Sequence, residues 1–397
     1  MGLTSHRVLA LSVALSVLTV VGTLWIWPRL AVHSWPALFA RLGTIVVTQV
    51  AVLCTLALIA NNYFVFYSSW SDLLGTGNKG PVNFSSPNPD SSGGTGRGGG
   101  NGNGRNPGTP GSRPAGVQPL GTDYIRGINA ISRDPAQIGR LDQVRIPGVT
   151  SGLSTDGYVY LPPQYFQPAF RNKKFPAIIA MTGFPGEAKN LITKLNYPAT
   201  ELQLLQDGRM TPAVQVLMRP SPSMPRDSEC EDVPGGPQAQ TYFTRDVPQD
   251  IEASYRVAGG THSWGAIGDS TGGYCALKLA MTTPSVFTTA VALSGYFKAA
   301  QDITTGDLFG GSRQRRNEAD LNWRLGNLPQ PAVALMLATS KQDGNSYAQS
   351  QAFAAAVRAP MTVAEASVDS GGHNYTTWIR LLPVSLEWLS AHLTGPT

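Results

Sequence analysis

Cysteine is nearly absent, with three in 397 residues. That excludes a disulfide-rich scaffold and any thiolate metal cluster, and neither a C-x-x-C nor an H-E-x-x-H spacing occurs. The reading therefore expects no metal and no cofactor. Charged residues are also few, at 14%. The formal charge of +5 points at first to an anionic partner, but its placement argues otherwise. Residues 1–120 hold Arg7, Arg29, Arg41, Lys79, Arg97, Arg105 and Arg113 against Asp72 and Asp90, and the bases and acids of 121–397 then balance. The later part has no basic stripe, which excludes nucleic acid as its partner. No internal repeat is present, which excludes a solenoid. Histidine numbers only five, so chemistry that needs an imidazole has few candidates.

What the N-terminus does have is apolar length. Residues 8–27 carry no charge, and residues 42–66 have Gln49 as their only strongly polar residue before Asn61 and Asn62. Each run can span the roughly 30 Å hydrocarbon core of a bilayer. Trp25, Trp27, Tyr63, Tyr67 and Trp70 sit at the run ends, as interfacial aromatics do. A cleaved signal peptide is the alternative for the first run. No small-x-small site follows it and the second run comes directly after, so two transmembrane helices are expected in a membrane anchor of residues 1–74. Arg29 and Arg41 lie between the runs, whereas no base follows the second run until Lys79. The positive-inside rule places that connection in the cytoplasm and the rest of the chain outside a cell membrane crossed twice. Residues 75–120 are rich in Gly, Asn, Pro and Ser and read as a flexible, disordered linker. Asn83-Phe84-Ser85 within it matches a glycosylation acceptor, a pattern common by chance.

Residues 121–397 read as one globular domain. Alternating segments at 143–146 and 157–161 suggest an antiparallel start. Continuous apolar runs at 175–181, 213–218, 287–293, 332–338 and 361–367 suggest strands buried on both faces. Helical patterns at 200–206, 247–257, 346–357 and 375–392 alternate with them. This is an α/β architecture with a mostly parallel sheet covered by helices.

The centre of that domain is Gly268-Asp269-Ser270-Thr271-Gly272. The apolar stretch 264–267 precedes it and a helical pattern over 271–281 follows. Strand, sharp turn and helix are the context of a nucleophile elbow. A side chain at 268 or 272 is expected to collide with the neighbouring strand or helix, and Gly273 adds room for close packing. A nucleophilic serine needs a base. His6 and His33 fall in the apolar N-terminal region, His262 precedes the elbow strand, and His392 lies near the end of the last helix. His373 remains, in a Gly-rich loop after a strand, where parallel sheets carry their sites. The base needs an acid, and Asp343 follows the 332–338 strand in the order Ser, acid, His. Asp302, Asp307 and Glu318 lie in a polar insertion at 299–330, and Asp369 stands too close to His373. The oxyanion should be held by backbone N–H groups of Thr271 and of Phe184, which lies in Thr182-Gly183-Phe184-Pro185-Gly186 after the 175–181 strand. Cys54 falls in the second apolar run. Cys230 and Cys275 fall in the globular part, where an extracytoplasmic location permits a disulfide tying a loop to the elbow helix.

From about residue 144 onward the chain resembles the esterase D and mycolyltransferase (antigen 85 complex-like) branch of the α/β-hydrolases. The resemblance rests on Tyr158-Val159-Tyr160-Leu161-Pro162-Pro163, on Thr182 to Gly186 where the family carries His-Gly-x-x-Gly, and on Gly268 to Gly273. Pro284, Phe287, Leu293-Ser294-Gly295-Tyr296 and Gly371-Gly372-His373-Asn374 extend it. It implies a membrane-anchored serine esterase or acyltransferase acting on a carboxylic ester. The chain departs from the family at Thr182, which replaces a histidine, and at Asp343, where the mycolyltransferases use glutamate. Expected substrates are ester-containing small molecules, lipids or envelope glycans. The alternatives are a non-catalytic cell-surface binding module on the same fold, which Ser270, Asp343 and His373 argue against, and a serine peptidase of that fold, for which no accessory domain speaks. The segment at 219–240 and the insertion at 299–330 are expected to shape the pocket. Oligomeric state has no signature here.

Overall fold

The computed structural model of the chain describes residues 3–64, 66–76, 80–86, 114–123, 125 and 132–397. The chain divides into two compact units.

The first unit comprises Met1–Pro81 with the short segments Ser340–Gly344 and Val368–Thr377. Its helices α1 (His6–Ile26) and α2 (Trp35–Phe64) form an antiparallel hairpin. Several of their hydroxyls lie on the seam between them. Ser16 Oγ donates to Ala51 O at 2.9 Å and lies 2.8 Å from Thr55 Oγ1, and Thr23 and Thr48 meet at 2.8 Å. Small hydroxylated residues let apolar helices approach closely and bond across. The outer faces leave Leu24 69%, Trp25 65% and Leu53 64% exposed. Cys54 is on that exposed surface. Both helices are long and apolar enough to cross a membrane. After α2, Ser69 caps the single turn Trp70–Leu73 through its Oγ, which accepts from Asp72 N at 3.2 Å.

The second unit comprises Val82–Thr339, Asn345–Ser367 and Trp378–Thr397 and contains the sheet. Its strands are β1 (Val82–Ser85), β2 (Gln118–Asp123), β3 (Arg140–Pro147), β4 (Ser154–Leu161), β5 (Ala177–Met181), β6 (Val214–Met218), β7 (Trp264–Asp269), β8 (Phe287–Leu293), β9 (Ala334–Ser340) and β10 (Thr362–Val368). The order is β1-β10-β9-β8-β7-β5-β6-β4-β3-β2. β2, β3 and β4 pair antiparallel, and β4 joins β6 antiparallel. β6, β5, β7, β8 and β9 then run parallel. The apolar runs form the parallel strands because helices cover both faces: every residue of β5, β6, β7 and β8 is buried. This is the expected α/β-hydrolase architecture.

Two departures have local causes. Most of the expected linker, 87–113, lies outside the described residues, but Val82–Ser85 within it is a strand at the sheet edge. Val82 and Phe84 supply β-branched and aromatic side chains at alternate positions, which suits an edge strand. Asn83 lies in that strand. In the insertion at 299–330 the sequence pattern points to one helix near 317–324, and the structure has two, Arg313–Glu318 and Leu321–Asn327, because Asp320 breaks the pattern and caps the second through Asn322 N and Trp323 N at 3.1 Å each. Glu201, on the helix Tyr197–Gln206, is fully buried and accepts from Ala213 N at 3.1 Å. Burial pushes its pKa up to about 8.

Candidate active site

β7 runs into the helix Thr271–Thr282 through one residue, Ser270. Ser270 has φ 52° and ψ −117°, a conformation that costs a non-glycine residue about 1–3 kcal/mol and persists only where surroundings impose it. The surroundings are visible. Ser270 N donates to Leu293 O at 3.0 Å at the end of β8, and Tyr274 N donates to Ser270 O at 3.1 Å to start the helix. A Cβ on Gly268 would lie 2.3 Å from the Gly272 carbonyl carbon, and one on Gly272 would lie 2.2 Å from Met181 O. The two glycines are thus a steric condition for packing strand, turn and helix together.

The Thr182–Gly186 loop lies against this turn. Gly183 N donates to Asp269 Oδ2 at 2.9 Å, and a Cβ on Gly183 would sit 3.0 Å from Ser270 Cβ. Phe184 follows in the same loop. Asp269, a fully buried residue of the pentapeptide to which sequence reading gave no role, is therefore the clamp on that loop. Thr271 opens a helix of 12 residues, whose first N–H groups lack intrahelical partners and carry the positive end of the helix dipole.

The same helix presents a stripe to the segment at 219–240. Thr271 donates a side-chain hydrogen bond to Tyr296 Oη, and Tyr296 Oη donates to Glu229 Oε1 at 2.6 Å. Cys275 is disulfide-bonded to Cys230, with Cα atoms 5.7 Å apart. Lys278 Nζ donates to Cys230 O at 2.8 Å and pairs with Glu231. Positions 271, 275 and 278 share one helical face, so one stripe holds residues 229–231. Glu229 is buried, and burial holds its carboxyl well above the usual range, with Asp227 adding to the effect. Asp227 itself is pushed up to about 6 by burial. Arg226 ties this segment to the insertion, with Nε donating to Thr305 O at 2.9 Å and Nη2 to Asp307 O at 2.7 Å. The sequence led to both segments at the pocket but gave neither Glu229 nor Tyr296 a role there, since nothing periodic marks a loop acid or the side chain that meets it.

Asp343 and His373 belong to the first unit, on the loops after β9 and β10. Asp343 Oδ2 lies 2.9 Å from His373 Nδ1, and Asp343 is only 3% exposed. A carboxylate on Nδ1 keeps the ring proton there and makes Nε2 the basic atom. Asp343 N donates to Ser340 O at 3.0 Å, and Gly371 N to Gln342 Oε1 at 3.4 Å, so the two loops support one another. The other candidates take local roles. Asp369 pairs with Lys341 at 2.8 Å. Asp302 accepts from Thr304 N at 2.8 Å, Asp307 accepts from Phe309 N at 2.9 Å, and Glu318 accepts from Gln314 Nε2 at 2.9 Å. His392 Nδ1 donates to Trp388 O at 2.8 Å, and His262 O accepts from Thr394 N at 2.8 Å ahead of β7.

Comparison with known proteins agrees with this architecture. A search of curated proteins finds no match. Among solved structures, an S-formylglutathione hydrolase from Agrobacterium tumefaciens is similar at 17% identity and a TM-score of 0.55, over 66% of this chain and 99% of that one. A ferulic acid esterase is similar at 17% identity and 0.54, over 64% and 99%. A fluorophosphonate-binding serine hydrolase of Staphylococcus aureus is similar at 16% identity and 0.51, over 64% and 98%. At these identities the likeness is one of fold. The Esterase family model matches residues 150–389, a stretch that includes β5 through β10 and every candidate catalytic residue. The chain belongs to the esterase family, as a carboxylic ester hydrolase on an α/β-hydrolase fold.

Proposed function

We propose that this esterase works through a Ser270–His373–Asp343 triad and an acyl-enzyme. His373 Nε2 takes the proton as Ser270 Oγ attacks the ester carbonyl, and Asp343 steadies the imidazolium on the Nδ1 side. The N–H groups of Phe184 and Thr271 receive the oxyanion, each worth roughly 10²–10³ in rate. Collapse breaks the ester C–O bond, and the leaving alcohol takes the proton from His373. Water then attacks the acyl-Ser270 carbonyl with His373 again as base, the bond from Ser270 Oγ to the acyl carbon breaks, Oγ takes the proton back from His373, and the carboxylic acid departs. The observation that carries the reading is the backbone of Ser270, a serine at φ 52° between a buried strand and a buried helix. Support comes from the 2.9 Å Asp343–His373 bond and from the parallel run of β7, β8 and β9, which Ser270 and Asp343 follow.

The hairpin of α1 and α2 acts in this reading as a membrane anchor for the enzyme. The Cys230–Cys275 disulfide supports an oxidising compartment outside the cytoplasm. An anchored enzyme there has membrane lipids and envelope glycans as its nearest esters. Transfer of the acyl group to an alcohol differs only in the nucleophile of the second step. The test is Ser270→Ala: turnover of a p-nitrophenyl ester should fall by at least about 10⁴-fold and fluorophosphonate labelling should vanish. Undiminished turnover in that variant would sink the assignment. Added alcohols that divert the product from acid to ester would identify transfer.

A further inference from the structure

We propose that Asp72, in the segment that follows α2, is a positioning residue for His373. The proposal rests on the reading of His373 as the general base. Asp72 is 9% exposed although its neighbours Leu73 and Leu74 are 42% and 71% exposed. Its carboxylate is turned inward onto the histidine loop, within the same compact unit. Oδ2 accepts from Ser68 N at 2.9 Å, Ser68 Oγ at 3.3 Å and Gly372 N at 2.9 Å. Asn374 Nδ2 lies 3.4 Å from Oδ1 and 3.3 Å from Oδ2, and it also donates to Phe66 O. The residue before His373 and the residue after it are therefore both tied to residues 66–72. Asn374 Oδ1 accepts from Thr377 N at 3.0 Å, which passes the constraint to the first turn of the helix Tyr375–Ala391.

The physical consequence is specific. Asp343 holds one nitrogen of the imidazole, and that bond fixes the ring only if the backbone carrying the ring is itself fixed. The Gly372 peptide and the Asn374 side chain flank that backbone, and a buried carboxylate forms charge-assisted bonds to N–H donors, about twice as strong as neutral ones. The general base of an esterase must stay within hydrogen-bond reach of the serine hydroxyl through two proton transfers, and a misplacement of about 1 Å can cost 10²-fold. Residues 66–72 follow the hairpin directly, so the part of the chain read as the anchor also completes the support of the base. A chain beginning at residue 121 would have the triad and lack this support.

The test uses the full chain in detergent or liposomes, with p-nitrophenyl acetate as substrate and fluorophosphonate titration to count active molecules. Asp72→Ala should lower kcat by about 10- to 100-fold with KM unchanged, since nothing that binds the ester is removed. Asp72→Asn, which keeps an acceptor for Gly372 N, should recover part of that loss. Asn374→Ala should lower kcat less, and the double variant should be no worse than Asp72→Ala, because the two residues act through one network. Wild-type kcat per titrated site in Asp72→Ala, or losses that simply multiply in the double variant, would overturn the proposal. Should Asp72→Ala not accumulate, Asn374→Ala and Asp72→Asn decide by the same readouts. His373→Ala separates the two readings. An inactive His373→Ala beside an unaffected Asp72→Ala removes the positioning role alone, whereas an active His373→Ala removes both.

Discussion

The serine side and the histidine side of this enzyme are built by different means. Around Ser270 the geometry is steric and covalent. Two glycines leave no room for a Cβ, a residue is held at φ 52°, and a disulfide pins the helix to a loop. Around His373 it is made of hydrogen bonds between loops: Asp343 to the ring, Gln342 to Gly371, and Asp72 to Gly372 and Asn374. Steric constraint is cheap to maintain because close-packed atoms cannot move without displacing others. Hydrogen-bonded loops are softer. In the proposed mechanism these bonds hold a base that must exchange a proton with two partners in one cycle, so losing any of them is expected to show in the rate.

The difference can be broken from the hydrogen-bonded side first. Asp343→Asn leaves the shape of the loop but removes the charge and offers Nδ1 an ambiguous partner. It should lower kcat by about 10⁴-fold while the thermal midpoint hardly moves, which steady-state kinetics beside calorimetry would reveal. A similar loss in both readouts would mean that this side is rigid too. The covalent side should respond in the opposite sense. Replacing Cys230 and Cys275 together by serine opens a loop with a sequence separation of 45 and should cost roughly 4 kcal/mol of stability by the chain-entropy model. Denaturant unfolding would measure it, and kcat of the folded fraction should change far less than in Asp343→Asn. The prediction with the smallest effect on kcat serves as a control. Glu201 has its pKa pushed from 4.5 to about 8 by burial, so the folded state keeps a proton that the unfolded chain gives up near pH 4.5. Stability should therefore fall as pH rises from about 4.5 towards 8, and Glu201→Gln should flatten that fall without touching kcat. Unfolding midpoints at pH 5 and pH 8 that shift equally in both proteins would contradict the raised pKa.

Much of this was legible from the residues themselves. The parallel strands read as uninterrupted apolar runs because both their faces are covered. The elbow read as Gly268 to Gly272 because its constraint acts between atoms a few positions apart. The hairpin helices announced themselves through length and apolarity, although the sequence placed the second at 42–66 and the helix begins at Trp35. Elimination among five histidines led to His373, and chain order led to Asp343. Their 2.9 Å bond is a fact only of the folded chain.

What stayed hidden has a common cause. Val82–Ser85 becomes a strand only because β10 offers it an edge. Glu229 gains its raised pKa from burial, with Asp227 two positions away adding to it, whereas its hydrogen-bond partner Tyr296, 67 positions away, works in the opposite direction; the burial itself is not predicted by its neighbours in sequence. Asp72 reads as a single acid after an apolar run, and its partner Gly372 lies 300 positions away. Periodicity and glycine placement report forces that act within a turn or a strand, so the sequence by itself determined the fold class and the elbow, and chain order named the proposed acid and base. Hydrogen bonds between distant loops depend on where whole segments converge, and that convergence, which only the tertiary structure decides, is what seats the histidine.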